Sequence, residues 1–188
     1  MSLLYASSDL ANQSNMLILI AGLPGSGKTT IAAELALRIG AAHYNSDKIR
    51  LKLNLQGQYT AEAKQQVYEA LQMAIKKHLS EQPSGFVIAD STFLRASLRE
   101  AFEQVARGCG SPFHWTWVYA SEEASLERVR RKRLYSEAGP EEYQRLKQTL
   151  EPPFGEYLHL RTDILSVKQC VDQIVHSIDA LLHFPSHD

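Results

Sequence analysis

The chain has 188 residues, 44% of them hydrophobic, and a formal net charge of −1. That length suits one domain with a substantial core, and the balanced charge exerts no global pull toward nucleic acid or an anionic membrane. Two cysteines, Cys109 and Cys170, lie far apart and suggest neither a disulfide framework nor a Cys-based metal site, so a reducing cytoplasm is the expected setting.

Residues 1–15 are rich in Ser, Asn and Ala without a clear period and read as a flexible lead-in to a domain over 16–188. They carry no positive charge and no sustained apolar core, so neither a signal peptide nor a membrane span is expected. Met16 to Ala21 is an apolar run suited to a buried strand. Gly22, Gly27, Lys28 and Thr29 then fill the fixed positions of a G-x-x-x-x-G-K-[ST] loop, with Pro24, Gly25, Ser26 and Thr30 as the other loop residues placed to touch a bound nucleotide. Lys28 to Ile39 follows as a helix with Ile31, Leu35 and Ile39 on one face.

Glycines let this backbone turn with positive φ and approach a ligand closely, so that successive amides converge on phosphate oxygens at the positive end of the helix. Lys28 is expected to reach the β- and γ-phosphates and Thr29 to ligate Mg²⁺. A Gly/Ser-rich turn that binds nothing is the alternative, and the strand-loop-helix context disfavours it. The expected cofactors are therefore ATP and Mg²⁺, since no N-K-x-D-like guanine-reading segment accompanies the loop.

Ala41 to Asn45 forms a short second strand, which delivers Ser46-Asp47-Lys48-Ile49-Arg50 to the carboxyl edge where parallel sheets bind ligands. Three residues apart at a helix start, Asp47 and Arg50 project to one side. The carboxylate suits a base that accepts a proton from an attacking hydroxyl, and the guanidinium suits an anionic group of the substrate. A capping Asp with a local ion pair is the competing reading, and the upstream loop favours the chemical one.

Thr60 to Gln82 reads as a long scaffold helix capped by Thr60, with His78 at its surface. Gly85 to Ala89 is an apolar strand ending in Asp90-Ser91-Thr92. Asp90 has the setting of a Walker-B acid that supports Mg²⁺ together with Thr29, and Thr92 lies beside it as a substrate-binding candidate. The alternative role for Asp90 is to cap the next helix, near Arg95 to Arg107, on which Arg99 is expected to be solvated while Arg95 is left open.

Phe113 to Ala120 alternates as a core strand, with Trp115 and Trp117 on one face. Ser121-Glu122-Glu123 caps a helix running into Arg128 to Arg133, five cations in six positions. This segment is expected to form a lid near 125–140, in which Arg128 and Arg131 share one side and Arg130 and Arg133 another, so that one pair, assigned to Arg128 and Arg131, supplies charge to the transferring phosphoryl group. A solvated or nucleic-acid-facing basic helix is the alternative. Gly139-Pro140-Glu141-Glu142 opens another helix that Glu151-Pro152-Pro153 ends. Tyr157 to Arg161 is the last strand, and Ser166 with Gln169 forms a capping box for a final amphipathic helix. The alternation predicts an α/β, three-layer P-loop NTPase fold with roughly five parallel strands and helices on both faces.

With GLPGSGKTT, SDKIR, IADSTFLRASLRE, the arginine-rich segment, SEAGPEEY and HLRTD in place, the chain resembles the small P-loop kinases grouped with zeta-toxin-like kinases and polynucleotide 5′-kinases. The resemblance spans nearly the whole sequence. It implies that Asp47 is the general base, that Arg50 binds substrate and that Asp90 is the acid after the third strand. The acceptor it implies is a hydroxyl of a small molecule, a nucleotide or a nucleic-acid end, with no membrane partner. A neighbouring likeness, to adenylylsulfate kinases, rests on Asp47-x-x-Arg50, Leu53-Asn54 and Glu151-Pro152-Pro153, but Asn45-Ser46-Asp47 stands where those kinases usually carry D-G-D. The reading from a different class is a nucleotide-binding switch without a phosphoryl acceptor, and the Asp47–Arg50 pair disfavours it.

Overall fold

A computed structural model describes residues 15–82, 85–131 and 138–183. Asn15, placed by sequence in the lead-in, is tied down: its side-chain amide donates to the carbonyls of Leu79 and Gln82. The rest of the expected lead-in, and residues 132–137 of the expected lid, lie outside the described residues.

Five strands alternate with helices. They are β1 Met16–Ala21, β2 Ala42–Asn45, β3 Phe86–Asp90, β4 Phe113–Tyr119 and β5 Leu158–Arg161, all parallel, in the order β2-β3-β1-β4-β5. The helices are α1 Lys28–Ile39, α2 Ser46–Lys52, α3 Ala61–Glu81, α4 Ala96–Gly108, α5 Glu122–Arg130, α6 Pro140–Gln148 and α7 Val167–His183.

The central strand explains the layering. β1 is buried along its length, and because successive side chains face opposite sides of a strand, each side needs its own cover. Met16, Ile18 and Ile20 pack with Ile31 and Leu35 of α1 and with Val171, Ile174 and Ile178 of α7. Leu17, Leu19 and Ala21 pack with Leu71 and Ile75 of α3, Phe102 of α4 and Trp117 of β4. The result is an α/β sandwich of helix, parallel sheet and helix.

Local chemistry sets the ends of these elements. Thr60 caps α3 through the amide of Ala63, Ser121 caps α5 through Ala124, and Ser166 and Gln169 exchange both bonds of the expected capping box. Asp90 does not cap α4. The free amide of Ala96 in that helix is met from a distance by the carboxylate of Glu151, at 2.6 Å. Register then decides what the sheet delivers: Ile20 pairs with Asp90 and Asn45 with Asp90, so the loops after β1, β2 and β3 leave the sheet side by side.

Candidate active site

The loop after β1 is held by its surroundings. The Gly22 amide donates to the Thr92 carbonyl at 3.2 Å, and the Ser26 amide turns back to Leu23. Gly25 has φ +80°, and a Cβ there would lie 2.4 Å from the carbonyl oxygen of Ser125 at the start of α5, so only glycine lets the loop and that helix meet. Among the described residues the amides of Gly25, Gly27 and Thr29 donate to no group, and the buried Ser26 hydroxyl has no partner. These donors lie at the N-terminus of α1, an arrangement suited to an anion. Lys28 Nζ lies 3.4 Å from the Leu23 carbonyl.

The outer carbonyls of the loop are braced by two residues distant in sequence. Arg128 donates through Nη1 to Gly25 O at 3.2 Å and to Thr162 Oγ1 at 2.8 Å, and through Nη2 to Thr162 O at 3.0 Å. The Thr162 hydroxyl also bonds Ser26 O at 2.7 Å. Arg128 is thus a strut between α5, the loop and the turn after β5. Arg131 is exposed and pairs with Glu127. Arg128 thus turns to the loop and Thr162, while Arg131, one residue past the end of α5 and with extended backbone, keeps its surface pair with Glu127.

Asp90 is fully buried at the end of β3. Its Oδ2 accepts from the Asn45 amide at 2.6 Å, and His43 Nε2 lies 3.3 Å from the same oxygen, while Oδ1 has no partner. Burial acts against its charge most strongly, but the bond from His43, the positive charge of Lys28 and the bond from Asn45 together outweigh it and hold the carboxyl below its usual range. A buried carboxylate with one open oxygen, close enough to the loop to feel the Lys28 charge, is a donor that fits a hydrated Mg²⁺.

Asp47 and Arg50 lie on α2, which Asn45 caps by accepting from the Lys48 amide. Both line a cavity of about 670 Å³ that also reaches Pro24, Lys28, Ser91 and Thr92. Arg50 is buried, donates to the Gln58 carbonyl and lies 4.7 Å from the centre of the Tyr59 ring. Thr92 shares the Tyr68 hydroxyl with Ser91. The structure therefore brings Lys28, Asp47, Arg50 and Thr92 to one cavity and leaves Arg128 and Arg131 out of its lining.

Two expectations need correction. Arg99, read as solvated, is 5% exposed: it donates to the carbonyls of Phe93, Glu151 and Pro152 and lies over the Trp115 ring, since the chain after α6 folds back across α4. His78 is half-buried rather than at the surface, with its Nδ1 3.3 Å from the Tyr44 hydroxyl. Residues not singled out in the sequence also enter the site. His43 shares a face of β2 with Asn45 at the two-residue spacing of a strand, but only the register with β3 shows that both meet Asp90. Lys64, Tyr59 and Arg145 line the cavity from α3, the segment before it, and α6.

The AAA domain family matches residues 17–153, which contain the loop, both acids and most of the sheet. The chain belongs to the AAA domain family. Among functionally curated proteins no sequence matches it. Several solved structures share the architecture of this AAA domain. Kti12 of Chaetomium thermophilum, solved with ADP-AlF3, is 22% identical over 86% of this chain and 98% of its own, with a TM-score of 0.67. A gluconokinase from Sinorhizobium meliloti is 20% identical over 90% of this chain and 97% of its own, at 0.66. The Mycobacterium tuberculosis APS kinase CysC, solved with AMPPNP and APS, is 18% identical over 88% and 98%, at 0.67. The likeness in each case is one of fold. No helix of the described AAA domain is long and apolar enough to cross a membrane.

Proposed function

We propose that this AAA domain is a kinase that transfers the γ-phosphoryl group of ATP to a hydroxyl of a small acceptor. The observation that carries the reading is that the loop lysine, Lys28, and a helix-borne carboxylate, Asp47, line one cavity large enough for a metabolite. A switch needs the first of these and has no use for the second.

In this reading the open amides of Gly25, Gly27 and Thr29 and the Lys28 ammonium hold the phosphate chain, with Gly22, Pro24, Ser26 and Thr30 shaping the cradle. Thr29 and Asp90 would hold Mg²⁺, directly or through water, and when bound the ion offsets the negative charge that builds on the phosphates. Asn45 and His43 orient the Asp90 carboxylate from the side away from its open oxygen. Asp47 accepts the proton of the acceptor hydroxyl as that oxygen bonds to the γ-phosphorus and the bond to the β,γ-bridging oxygen breaks, releasing ADP. Arg50, fixed by Tyr59 and Gln58, positions the acceptor, and Thr92 lines its path. Arg128 acts by holding the loop in shape. Arg131, whose surface pair with Glu127 is weak enough to exchange, supplies positive charge from the expected lid.

The test incubates the protein with γ-labelled ATP and pools of sugars, nucleotides and 5′-hydroxyl oligonucleotides. Label is expected in an organic acceptor, with Lys28→Ala lowering transfer by about 10²–10³-fold and Asp47→Asn by about 10²–10⁴-fold. Label appearing only as inorganic phosphate in every pool would favour a nucleotide switch. Unchanged transfer in Asp47→Asn, with Lys28→Ala inactive, would remove the base role and leave positioning alone.

A further inference from the structure

The cavity is far more basic than the molecule that contains it. Its described lining holds five cationic side chains, Lys28, Arg50, Lys64, Arg95 and Arg145, against two carboxylates, Asp47 and Glu142, in a chain whose net charge is −1. One of those charges is answered locally, because Arg145 makes a two-pronged pair with Glu142 at 2.7 Å on both bonds. Lys28 belongs to the phosphate loop. Arg50 spends one arm on a neutral carbonyl. The side chains of Lys64 and Arg95 make no hydrogen bond or ion pair among the described residues.

These groups also feel one another. Burial lowers the Lys64 pKa most, and the charges of Arg145, Arg50 and Arg95 lower it further against the opposing pull of Glu142. Cations gathered from α2, the head of α4, α3 and α6 around one concavity, repelling each other with the space between them open, are stabilised by an anion that enters it. A neutral polyol would leave that repulsion in place.

We propose that Lys64 and Arg95, with Arg50, form an anion subsite at the acceptor side of the cavity, so that the acceptor is a small hydroxyl compound already carrying a carboxylate, sulfate or phosphate group. The assignment of a substrate class rests on the kinase reading above; the subsite itself does not. The anionic group is held away from Lys28 and the loop, and the hydroxyl is left to face Asp47.

Two measurements on the full chain test it. In the first, inorganic phosphate is titrated into protein saturated with AMPPNP and Mg²⁺ while ¹³C-labelled lysine side chains are followed by NMR, with Lys64→Met used to assign the Lys64 signal. A saturable shift of Lys64 is expected, with affinity about tenfold lower in Arg95→Gln and unchanged in Lys77→Met, which lies on the exposed side of α3. Absence of a saturable Lys64 shift, or indifference to Arg95→Gln, overturns the subsite. A shift of Lys28 in its place would report phosphate in the loop and overturn it equally.

In the second, ADP formation is compared for a sugar, its aldonic acid and its phosphate ester, and for a nucleoside and its monophosphate. The charged members are expected to exceed their neutral parents by about tenfold or more in kcat/KM, and Lys64→Met to close that gap mainly through KM. Carboxylate and phosphate sources are separated by which ester or acid is used. Equal turnover of neutral parents, or turnover of oligonucleotides alone, overturns the proposal. If no acceptor yields ADP while phosphate still saturates Lys64, the subsite stands and the phosphotransfer reading falls.

Discussion

Asp90 shows how much of this site depends on single atoms. Its carboxylate is buried in the sheet, where an isolated charge would be costly, and it is made tolerable by Asn45, His43 and the nearby Lys28 charge. Asn45 and His43 both contact Oδ2, so Oδ1 is left buried with its acceptor capacity unused. If that oxygen serves Mg²⁺ through water, the Asp90→Asn variant should need about 10–100-fold more Mg²⁺ to reach half-maximal binding of a fluorescent ATP analogue. Binding measured in excess EDTA should not change, because the loop amides and Lys28 remain. His43→Gln should shift the Mg²⁺ midpoint in the same direction by less, since Asn45 still holds Oδ2. A Mg²⁺ midpoint unchanged in Asp90→Asn would move the cation wholly to Thr29 and the phosphates.

At the scale of elements, the decisive join is between the β1–α1 loop and α5. The loop's backbone meets the first turn of α5 at Gly25, and Arg128 from the last turn of that helix closes the contact through Gly25 and Thr162. A guanidinium can span a carbonyl and a hydroxyl at once, whereas an ammonium cannot hold the same fork. Arg128→Lys is accordingly expected to lower ADP and AMPPNP affinity together, by about tenfold, as calorimetric titration would read. A loss confined to kcat, with ADP affinity intact, would instead make Arg128 a group that touches the transferring phosphoryl. The loop itself, its strand and its helix were legible from Met16 to Ile39, because an apolar run, glycines and a Lys-Thr pair are local signals. The brace was not, because Thr162 lies 136 residues from Ser26 and nothing in HLRTD says what it holds. Arg99 was misread for the same reason: its spacing on an amphipathic helix looks solvent-facing until the segment after α6 crosses over it.

The whole molecule is a sheet buried on both faces, which makes its polar interior side chains sensitive to pH. The alternation of apolar runs and amphipathic helices was enough to read the parallel sheet and its two covers, and Asp47, Arg50 and Asp90 at strand ends followed from where such sheets bind ligands. The strand register and the contents of the interior between strands are set by packing alone. His114 is such a case: it occupies β4 on the face opposite Trp115 and Trp117, is 5% exposed and bonds Thr116 Oγ1 at 3.1 Å. Desolvation lowers its pKa from 6.5 to about 4, so the folded protein holds a neutral imidazole where the unfolded chain would hold a charged one at mildly acidic pH. The unfolded state therefore binds more protons between those values. The stabilisation due to neutral His114 is complete above pH 6.5 and is lost as pH falls toward 4, by about 3 kcal/mol in total. Urea denaturation followed from roughly one pH unit above the ordinary imidazole value down to about pH 4 should show a decline in stability that His114→Gln removes in large part. The variant is expected to be less stable at neutral pH, because a flexible amide loses more rotamer freedom than the ring and does not reproduce its packing and its bond to Thr116, and yet to have the shallower slope. Parallel slopes for the two proteins would mean that His114 does not govern the acid response of the sheet.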